Sequence, residues 1–160
     1  MAINGFGRIG RQVLRVALER NNVLDIVSVN DLTDAKTLAH LFKYDSVHGK
    51  FKGEIAAKEH SIVVNGKEIE VTAVKDPAEL KWSDKGVEVV IESTGVFRKK
   101  DQCMKHVAAG AKKVILTVPP KDEIDNMIVL GVNEGDLKAS DVVVSNASCT
   151  TNCLAPMIRY

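Results

Sequence analysis

The chain has 160 residues, of which 45% are hydrophobic and 27% charged, with 22 Lys and Arg against 21 Asp and Glu. This length and composition are typical of one globular domain with a buried core, and they exclude a disordered or fibrous chain. A net charge of +1 excludes non-specific binding of nucleic acid or of an anionic membrane through a strong basic field.

The apolar runs along the chain are short. Residues 87–91 and 142–144 are among the longest, and both fall far below the roughly 20 residues that span a bilayer. The first ten residues are rich in glycine and lack the basic start and apolar core of a signal peptide. The three cysteines are an odd set that suits a reducing compartment. We therefore expect no membrane span and a cytoplasmic location.

The N-terminal segments predict a βαβ unit. Residues 2–4 are typical of a strand, residues 9–18 carry apolar side chains at helical spacing, and residues 26–29 return to a strand pattern. A second helix is predicted over residues 35–43, with Asp34 placed to cap its free amides.

The middle and C-terminal segments predict further strands. Asn65-Gly66 interrupts an alternating pattern over residues 62–71, which predicts an antiparallel hairpin inserted at that point. A helical stripe that includes Met104 and Val107 ends at Gly110. Further strands are predicted at residues 87–91, 114–117, 126–130 and 142–145.

Nearly continuous hydrophobicity in the later strands indicates that both faces of the sheet are covered. The predicted fold class is therefore α/β, a Rossmann-like doubly wound and mostly parallel sheet with an antiparallel hairpin insertion. In such folds ligands bind beyond the carboxyl ends of the strands.

A glycine-rich turn follows the first strand. Gly5-Phe6-Gly7-Arg8-Ile9-Gly10 matches the dinucleotide pattern, in which Gly5 permits the turn, Gly7 lets the backbone approach a pyrophosphate and Gly10 packs the helix on the strand. A glycine turn without function is the alternative for an isolated match. Asp31 follows the next strand about twenty residues later, where an acid binds ribose hydroxyls. The two features together favour a dinucleotide, and the carboxylate favours NAD over NADP.

The segment 145–156 follows an apolar strand and begins a helix, which places Cys149 near a helix N-terminus. The amides and dipole of that terminus favour a thiolate, so Cys149 is a candidate nucleophile. A structural thiol is the alternative for any single cysteine, and it is our interpretation of Cys103 and Cys153. No metal site is predicted, because the segment lacks further ligands. Surface or packing roles are expected for His40, His48, His60 and His106.

Four segments together resemble the glyceraldehyde-3-phosphate dehydrogenase family. They are residues 2–11, 44–49, 92–97 and 145–152, and the last, Ser-Asn-Ala-Ser-Cys-Thr-Thr-Asn, is very specific for phosphorylating aldehyde dehydrogenases of this family. The resemblance covers the whole chain. It implies an NAD-binding Rossmann domain over residues 1–148 and the cysteine helix that begins a catalytic domain over residues 149–160.

The resemblance also implies a reaction and its residues. The Cys149 thiolate would add to the aldehyde of glyceraldehyde 3-phosphate, hydride would leave to NAD, and inorganic phosphate held by Ser148 and Thr150 would attack the resulting thioester. The cofactor would be bound by Asn4, Gly5, Phe6, Gly7, Arg8, Ile9, Asn30, Asp31, Leu32, Lys75, Ser93, Thr94, Gly95, Phe97 and Thr117.

The same resemblance sets limits on the function. The family's general-base histidine and the residues that bind the substrate phosphate belong to the half that this chain does not match. The resemblance therefore implies NAD binding with little or no turnover. The family forms homotetramers, so we expect a homo-oligomer, and apolar surface left uncovered predicts self-association. Two alternatives remain open: a stand-alone dinucleotide-binding module, and a relative that acts on erythrose 4-phosphate.

Overall fold

The computed structural model describes residues 1–20 and 24–159. The strands, β1 to β11 in chain order, are Ala2–Asn4, Ser28–Asn30, Tyr44–Asp45, Gly49–Lys50, Ile55–Ala57, Ser61–Val64, Lys67–Thr72, Val89–Glu92, Lys113–Leu116, Asn126–Met127 and Val143–Ser145. The α-helices, α1 to α4, are Arg8–Glu19, Ala35–Lys43, Lys100–Ala108 and Cys149–Arg159. Short 3-10 helices lie at Pro77–Glu79, Trp82–Lys85 and Glu134–Asp136.

Nine strands form one sheet in the order β10-β11-β9-β8-β1-β2-β7-β6-β5. Neighbouring strands from β10 to β7 are parallel, whereas β6 is antiparallel to both β7 and β5. The chain winds outward from β1 in both directions, first through β2 and β7 and then through β8, β9 and β11. This confirms the doubly wound, mostly parallel sheet, and it places the point of reversal between β1 and β8.

The helices cover the sheet through apolar side chains. Leu14 of α1 and Phe42 of α2 are buried in one cluster with Ile3 and Val29 from the central strands. Helix α2 begins as predicted, because the Asp34 carboxylate accepts a hydrogen bond from the Thr37 amide at 2.9 Å. The carboxyl ends of the central strands are thus held at one edge by a buried, apolar core.

The hairpin predicted at Asn65-Gly66 is present, with φ of 50° and 81° at the two turn residues, as a two-residue hairpin turn requires. Its second strand, β7, pairs in parallel with β2, so the antiparallel hairpin extends the main sheet at that edge. The second strand of the chain begins at Ser28 rather than at residue 26. The reason is that Ala2, the first residue of β1, pairs with Ser28.

The later strands lie within one or two residues of their predicted bounds, except that the segment predicted at 126–130 forms only the short β10. Within residues 1–20 and 24–159, no helix has the length and apolar character needed to cross a membrane.

Candidate functional site

A cavity of about 400 Å³ opens at the carboxyl ends of four neighbouring strands, β8, β1, β2 and β7. This is the position at which doubly wound sheets bind their ligands. Its lining residues are Asn4, Gly5, Gly7, Asn30, Asp31, Leu32, Val74, Lys75, Ser93, Thr94, Val96 and Phe97.

The glycine turn after β1 is shaped by close backbone contacts. Gly5 has a φ of 89°, and a Cβ there would lie 2.6 Å from the Thr94 amide nitrogen. A Cβ on Gly10 would lie 2.2 Å from the Gly5 carbonyl oxygen and 3.0 Å from Ser93 Oγ. Neither position can hold a side chain without moving backbone, so both glycines are required by the fold itself.

Gly7 differs from its neighbours, because a Cβ there would meet no heavy atom within 4 Å. Gly7 is also the N-cap of α1 and supplies no side-chain hydrogen bond to it. The first amides of a helix have no partner inside the helix, so this uncapped terminus offers donors and positive potential next to open space. A pyrophosphate group fits such a terminus.

The Asp31 carboxylate lies at the end of β2 and faces the same turn. Its Oδ2 accepts a hydrogen bond from the Phe6 amide at 2.8 Å, and its Oδ1 accepts one from the Thr33 amide at 3.0 Å. A carboxylate offers about four lone-pair sites, so each oxygen keeps capacity for a further donor. Two adjacent ribose hydroxyls would match that capacity.

Asn4 and Asn30 line the cavity, but their side chains bond to the protein. Asn30 Nδ2 donates to Asn4 Oδ1 at 2.7 Å and to the Val74 carbonyl at 2.9 Å. Asn30 Oδ1 accepts from Thr72 Oγ1 at 2.9 Å and from the Val74 amide at 2.8 Å. Asn30 therefore fixes the chain after β7 as a wall of the cavity, and its amide has no hydrogen-bonding capacity left for a ligand.

Several predicted cofactor residues lie beside the cavity rather than in its lining. These are Phe6, Arg8, Ile9, Gly95 and Thr117. Phe6 is buried, with its ring 5.8 Å from that of Phe42, and only its backbone amide reaches the site. Ile9 lines a separate groove along α1, and Thr117 bonds to the backbone of Glu92.

Arg8 is held by the small hairpin formed by β3 and β4. Its guanidinium donates to Asp45 at 3.0 Å, while the Asp45 carboxylate also accepts from the amides of His48 at 2.9 Å and Val47 at 2.8 Å. Those amides, followed by the nearby Arg8 charge, hold the pKa of the Asp45 carboxyl well below its usual range. The guanidinium of Arg8, the first residue of α1, is thus paired with the ionised carboxylate of Asp45 in β3.

The candidate nucleophile lies in a tight turn between β11 and α4. Ala147 has a φ of 64°, an uncommon backbone conformation for alanine that costs about 1–3 kcal/mol and concentrates at functional sites. Ser148 Oγ accepts from the Thr151 amide at 3.0 Å and lies 2.9 Å from the Thr150 hydroxyl. Cys149 is the first residue of α4 and is exposed. The predicted sulfur and hydroxyl groups therefore meet at one helix N-terminus.

Cys149 and the cavity share one edge of the sheet. Strand β9 separates β11 from β8, so at a spacing of about 4.8 Å per strand the end of β11, from which the cysteine turn departs, lies about 10 Å from the end of β8. The other cysteines differ from each other. Cys103 is fully buried, and burial raises the pKa of its thiol to about 12, whereas Cys153 is exposed on α4.

Val74 and Val96 line the cavity but are missing from the predicted set. Val96 lies between the predicted Gly95 and Phe97, so the family resemblance already includes its segment. Val74 follows β7, and the alternating pattern of that strand indicated a hairpin rather than a member of the parallel sheet. Recognising β7 as the neighbour of β2 would have placed its carboxyl end in the site.

Comparison with known proteins gives the same family as the sequence motifs. Residues 1–100 match the family model described as glyceraldehyde 3-phosphate dehydrogenase, NAD binding domain. The chain is 59% identical to glyceraldehyde-3-phosphate dehydrogenase 1 of Bacillus cereus over 99% of its length and 47% of that protein. The corresponding enzyme of Priestia megaterium is 57% identical, with 47% of it covered, and that of Thermotoga maritima is 56% identical, with 48% covered.

The chain thus spans about half the length of the curated relatives that it matches. The resemblance seen in the sequence motifs is confirmed over the whole chain. The chain belongs to the glyceraldehyde 3-phosphate dehydrogenase family, it contains the family's NAD-binding domain, and NAD is its cofactor.

Proposed function

We propose that this chain is the NAD-binding part of a phosphorylating glyceraldehyde-3-phosphate dehydrogenase, with Cys149 as its nucleophile. The observation that carries the proposal is the shared edge of the sheet, where the glycine turn, the Asp31 carboxylate and Cys149 all follow parallel strands. Bound NAD supplies the acceptor for a hydride. The chain's own residues hold that cofactor and present the sulfur.

The adenosine end of NAD belongs in the 400 Å³ cavity. Asp31 would accept from the ribose hydroxyls, Leu32 and Val74 would contact the adenine, and the amides that follow Gly7 would bind the pyrophosphate. This assignment is supported by the open space at Gly7 and by the unused lone pairs of Asp31. The same edge of the sheet, on the side of β9 and β11, would hold the nicotinamide.

Cys149 supplies covalent catalysis. Its thiolate adds to the aldehyde carbon of glyceraldehyde 3-phosphate, and the hemithioacetal becomes a thioester by losing its carbon-bound hydrogen as hydride and its hydroxyl proton to a base. Inorganic phosphate then attacks the thioester carbon, releasing the thiolate and an acyl phosphate. We assign the binding of that phosphate to the hydroxyls of Ser148 and Thr150, which is supported by their separation of 2.9 Å at the N-terminus of α4.

All four histidines of these 160 residues lie in the described part of the chain, and none is in α4 or in the turn before it. His106 is fully buried against Trp82 and Glu92, and His48 is next to Asp45 in the β3–β4 hairpin. His40 lies in α2, and His60 precedes β6. Among residues 1–20 and 24–159 no imidazole hydrogen-bonds to Cys149, so we propose that the 160-residue chain lacks a base for the hemithioacetal proton, binds NAD and turns over very slowly.

Two assays on the same preparation test this function. Calorimetric titration with NAD should show binding at one site per chain, whereas absorbance should show little NADH after addition of glyceraldehyde 3-phosphate and phosphate. Any NADH formed should disappear in Cys149→Ser and persist in the matched control Cys153→Ser. Rapid NADH formation would contradict the missing-base argument, and absence of NAD binding would contradict the proposal as a whole.

The location and assembly of the chain follow from the same proposal. Free thiols at all three cysteines fit the cytoplasm, where disulfides are rare. Helix α4 exposes Leu154, Met157 and Ile158, and apolar side chains grouped in this way favour association. We therefore propose a homo-oligomer, and a monomer at every concentration in analytical ultracentrifugation would contradict it.

A further inference from the structure

A chain of buried polar side chains runs from the cavity into the protein. Glu92, at the end of β8, and His106, on α3, both have a relative exposure of 0%. His106 Nε2 lies 3.0 Å from Glu92 Oε2, and Trp82 Nε1 lies 3.1 Å from His106 Nδ1. Neither His106 nor Trp82 lines the cavity.

The indole fixes the protonation state of His106. An indole N–H can only donate, so His106 Nδ1 must accept and carries no proton. The single proton of the neutral ring is therefore on Nε2, which donates to Glu92 Oε2. Protonation of Nδ1 would set two N–H groups against each other, so this contact selects the neutral Nε2–H form.

The Glu92 carboxylate is held by four donors. Oε2 accepts from His106 Nε2 and from Asn4 Nδ2, the latter at 2.5 Å. Oε1 accepts from the Thr94 amide at 2.8 Å and from the Thr94 hydroxyl. These donors match the capacity of an ionised carboxylate, which offsets the cost of burying its charge and fixes its orientation.

Thr94 links the orientation of the Glu92 carboxylate to the cavity. Thr94 lines the cavity, and its amide nitrogen lies 2.6 Å from the position that a Cβ on Gly5 would take. The Glu92 carboxylate thus holds the wall on which the glycine turn packs. Its second oxygen also fixes Asn4, at the start of that turn.

We propose that His106 is a positioning residue for the cofactor cleft: as the neutral Nε2–H tautomer set by Trp82, it orients Glu92, which places the Thr94 backbone against the glycine turn. The proposal deepens the proposed function, since its effect on NAD rests on binding in this cleft. The tautomer of His106, the orientation of Glu92 and the position of Thr94 do not depend on that binding. His106 acts through Glu92 and touches neither cofactor nor substrate.

Two amide substitutions separate positioning from simple packing. The amide of His106→Gln can place a donor near the former Nε2 and keep the bond to Glu92. The shorter His106→Asn can keep an acceptor near the former Nδ1 for Trp82, but it leaves Glu92 without its fourth donor. Both variants replace a buried ring with an amide, so a purely structural role would affect them alike.

The experiment combines nitrogen NMR with NAD titration, below the unfolding temperature of each variant. In the unsubstituted chain, His106 should show a protonated Nε2 and an unprotonated Nδ1. His106→Asn should shift the Thr94 amide resonance and weaken NAD binding about tenfold, the scale of one hydrogen bond to a charged group. His106→Gln should retain the Thr94 resonance and bind NAD within about threefold of the original.

Other results would overturn the proposal. These are a protonated Nδ1, a Thr94 amide unmoved in both variants, or equal loss of NAD affinity in the two. Should His106→Asn fail to fold, Trp82→Phe gives the second test: without the indole donor Nδ1 can carry a proton while Nε2 still donates to Glu92, and the ring, no longer fixed from that side, should shift the Thr94 amide. If the unsubstituted chain binds no NAD, the proposed function fails, while the tautomer and the Thr94 resonance still decide the positioning role.

Discussion

The Asp31 carboxylate accepts a hydrogen bond from the Phe6 amide at 2.8 Å, so the acid at the end of β2 also holds the turn that follows β1. One side chain therefore joins two neighbouring strands at the edge proposed for the cofactor. Its second oxygen is fixed by the Thr33 amide, which leaves the carboxylate with one orientation. A preorganised acceptor of this kind loses little entropy when ribose hydroxyls bind.

Replacement of Asp31 by Asn should weaken NAD binding. The substitution removes the charge and turns one acceptor into a donor, so the affinity should fall by about 1 to 3 kcal/mol, roughly the value of a hydrogen bond to a charged group. Calorimetric titration measures the change. Asp34→Asn is the matched control, because Asp34 caps α2 away from the cavity and asparagine caps a helix equally well. Unchanged affinity in Asp31→Asn would remove this residue from the site.

Alanine at Gly10 should lower stability, whereas alanine at Gly7 should weaken NAD binding. Gly10→Ala should lower the free energy of unfolding by about 1–3 kcal/mol or more, since its Cβ would lie 2.2 Å from the Gly5 carbonyl oxygen. Gly7→Ala should leave stability nearly unchanged, because no atom lies within 4 Å of its Cβ. It should nevertheless weaken NAD binding by filling the space proposed for the pyrophosphate. Urea unfolding and NAD titration of both variants check the pair, and full NAD affinity in Gly7→Ala would contradict the proposed phosphate position.

Much of the fold could be predicted because local signals agree with the tertiary structure. Asp34 as a helix cap and Asn65-Gly66 as a tight turn depend on a few adjacent residues, and both are present in the structure. Strand β5 was not predicted, since two of its three residues are exposed and its pairing with β6 is non-local. The β3–β4 hairpin was missed for a similar reason: each strand has only two residues.

The site could be predicted only in part, because motifs identify segments and do not show where each side chain points. Gly5, Gly7 and Asp31 line the cavity as their motif implies. Arg8 belongs to the same motif, yet its side chain turns to Asp45 on a hairpin that the motif does not include. The contact between Trp82 and His106 joins residues 24 positions apart through packing, for which the sequence has no spacing signal.

The cysteines should differ in reactivity towards iodoacetamide. Cys149 and Cys153 are exposed, whereas Cys103 is buried and the pKa of its thiol is raised to about 12 by that burial. Mass spectrometry at pH about 8 should therefore show two alkyl groups on the folded chain and three after unfolding in urea. Cys153→Ser should reduce both numbers by one. Alkylation of Cys103 in the folded chain at a rate like that of Cys149 would contradict its buried position.

The stability of the chain should fall in acid, in part through Asp125. The hydrogen bond from Lys100, followed by that from the Val143 amide, lowers the pKa of the Asp125 carboxyl to about 2. A folded-state pKa below the unfolded value of about 3.9 means that the ionised form stabilises the folded chain. This contribution is complete above the unfolded pKa and is lost as the pH falls towards the folded value.

Asp125→Asn should therefore be less stable than the original chain at pH 7, by roughly 1 kcal/mol because the ion pair with Lys100 is partly exposed to solvent. The difference in unfolding free energy should narrow between pH about 5 and about 2, as the original carboxylate becomes protonated. Urea unfolding at several pH values measures it, with the exposed Asp136→Asn as control. A difference that stays constant over this range would mean that Asp125 stabilises the turn before β11 by its shape and neutral hydrogen bonds rather than by its charge.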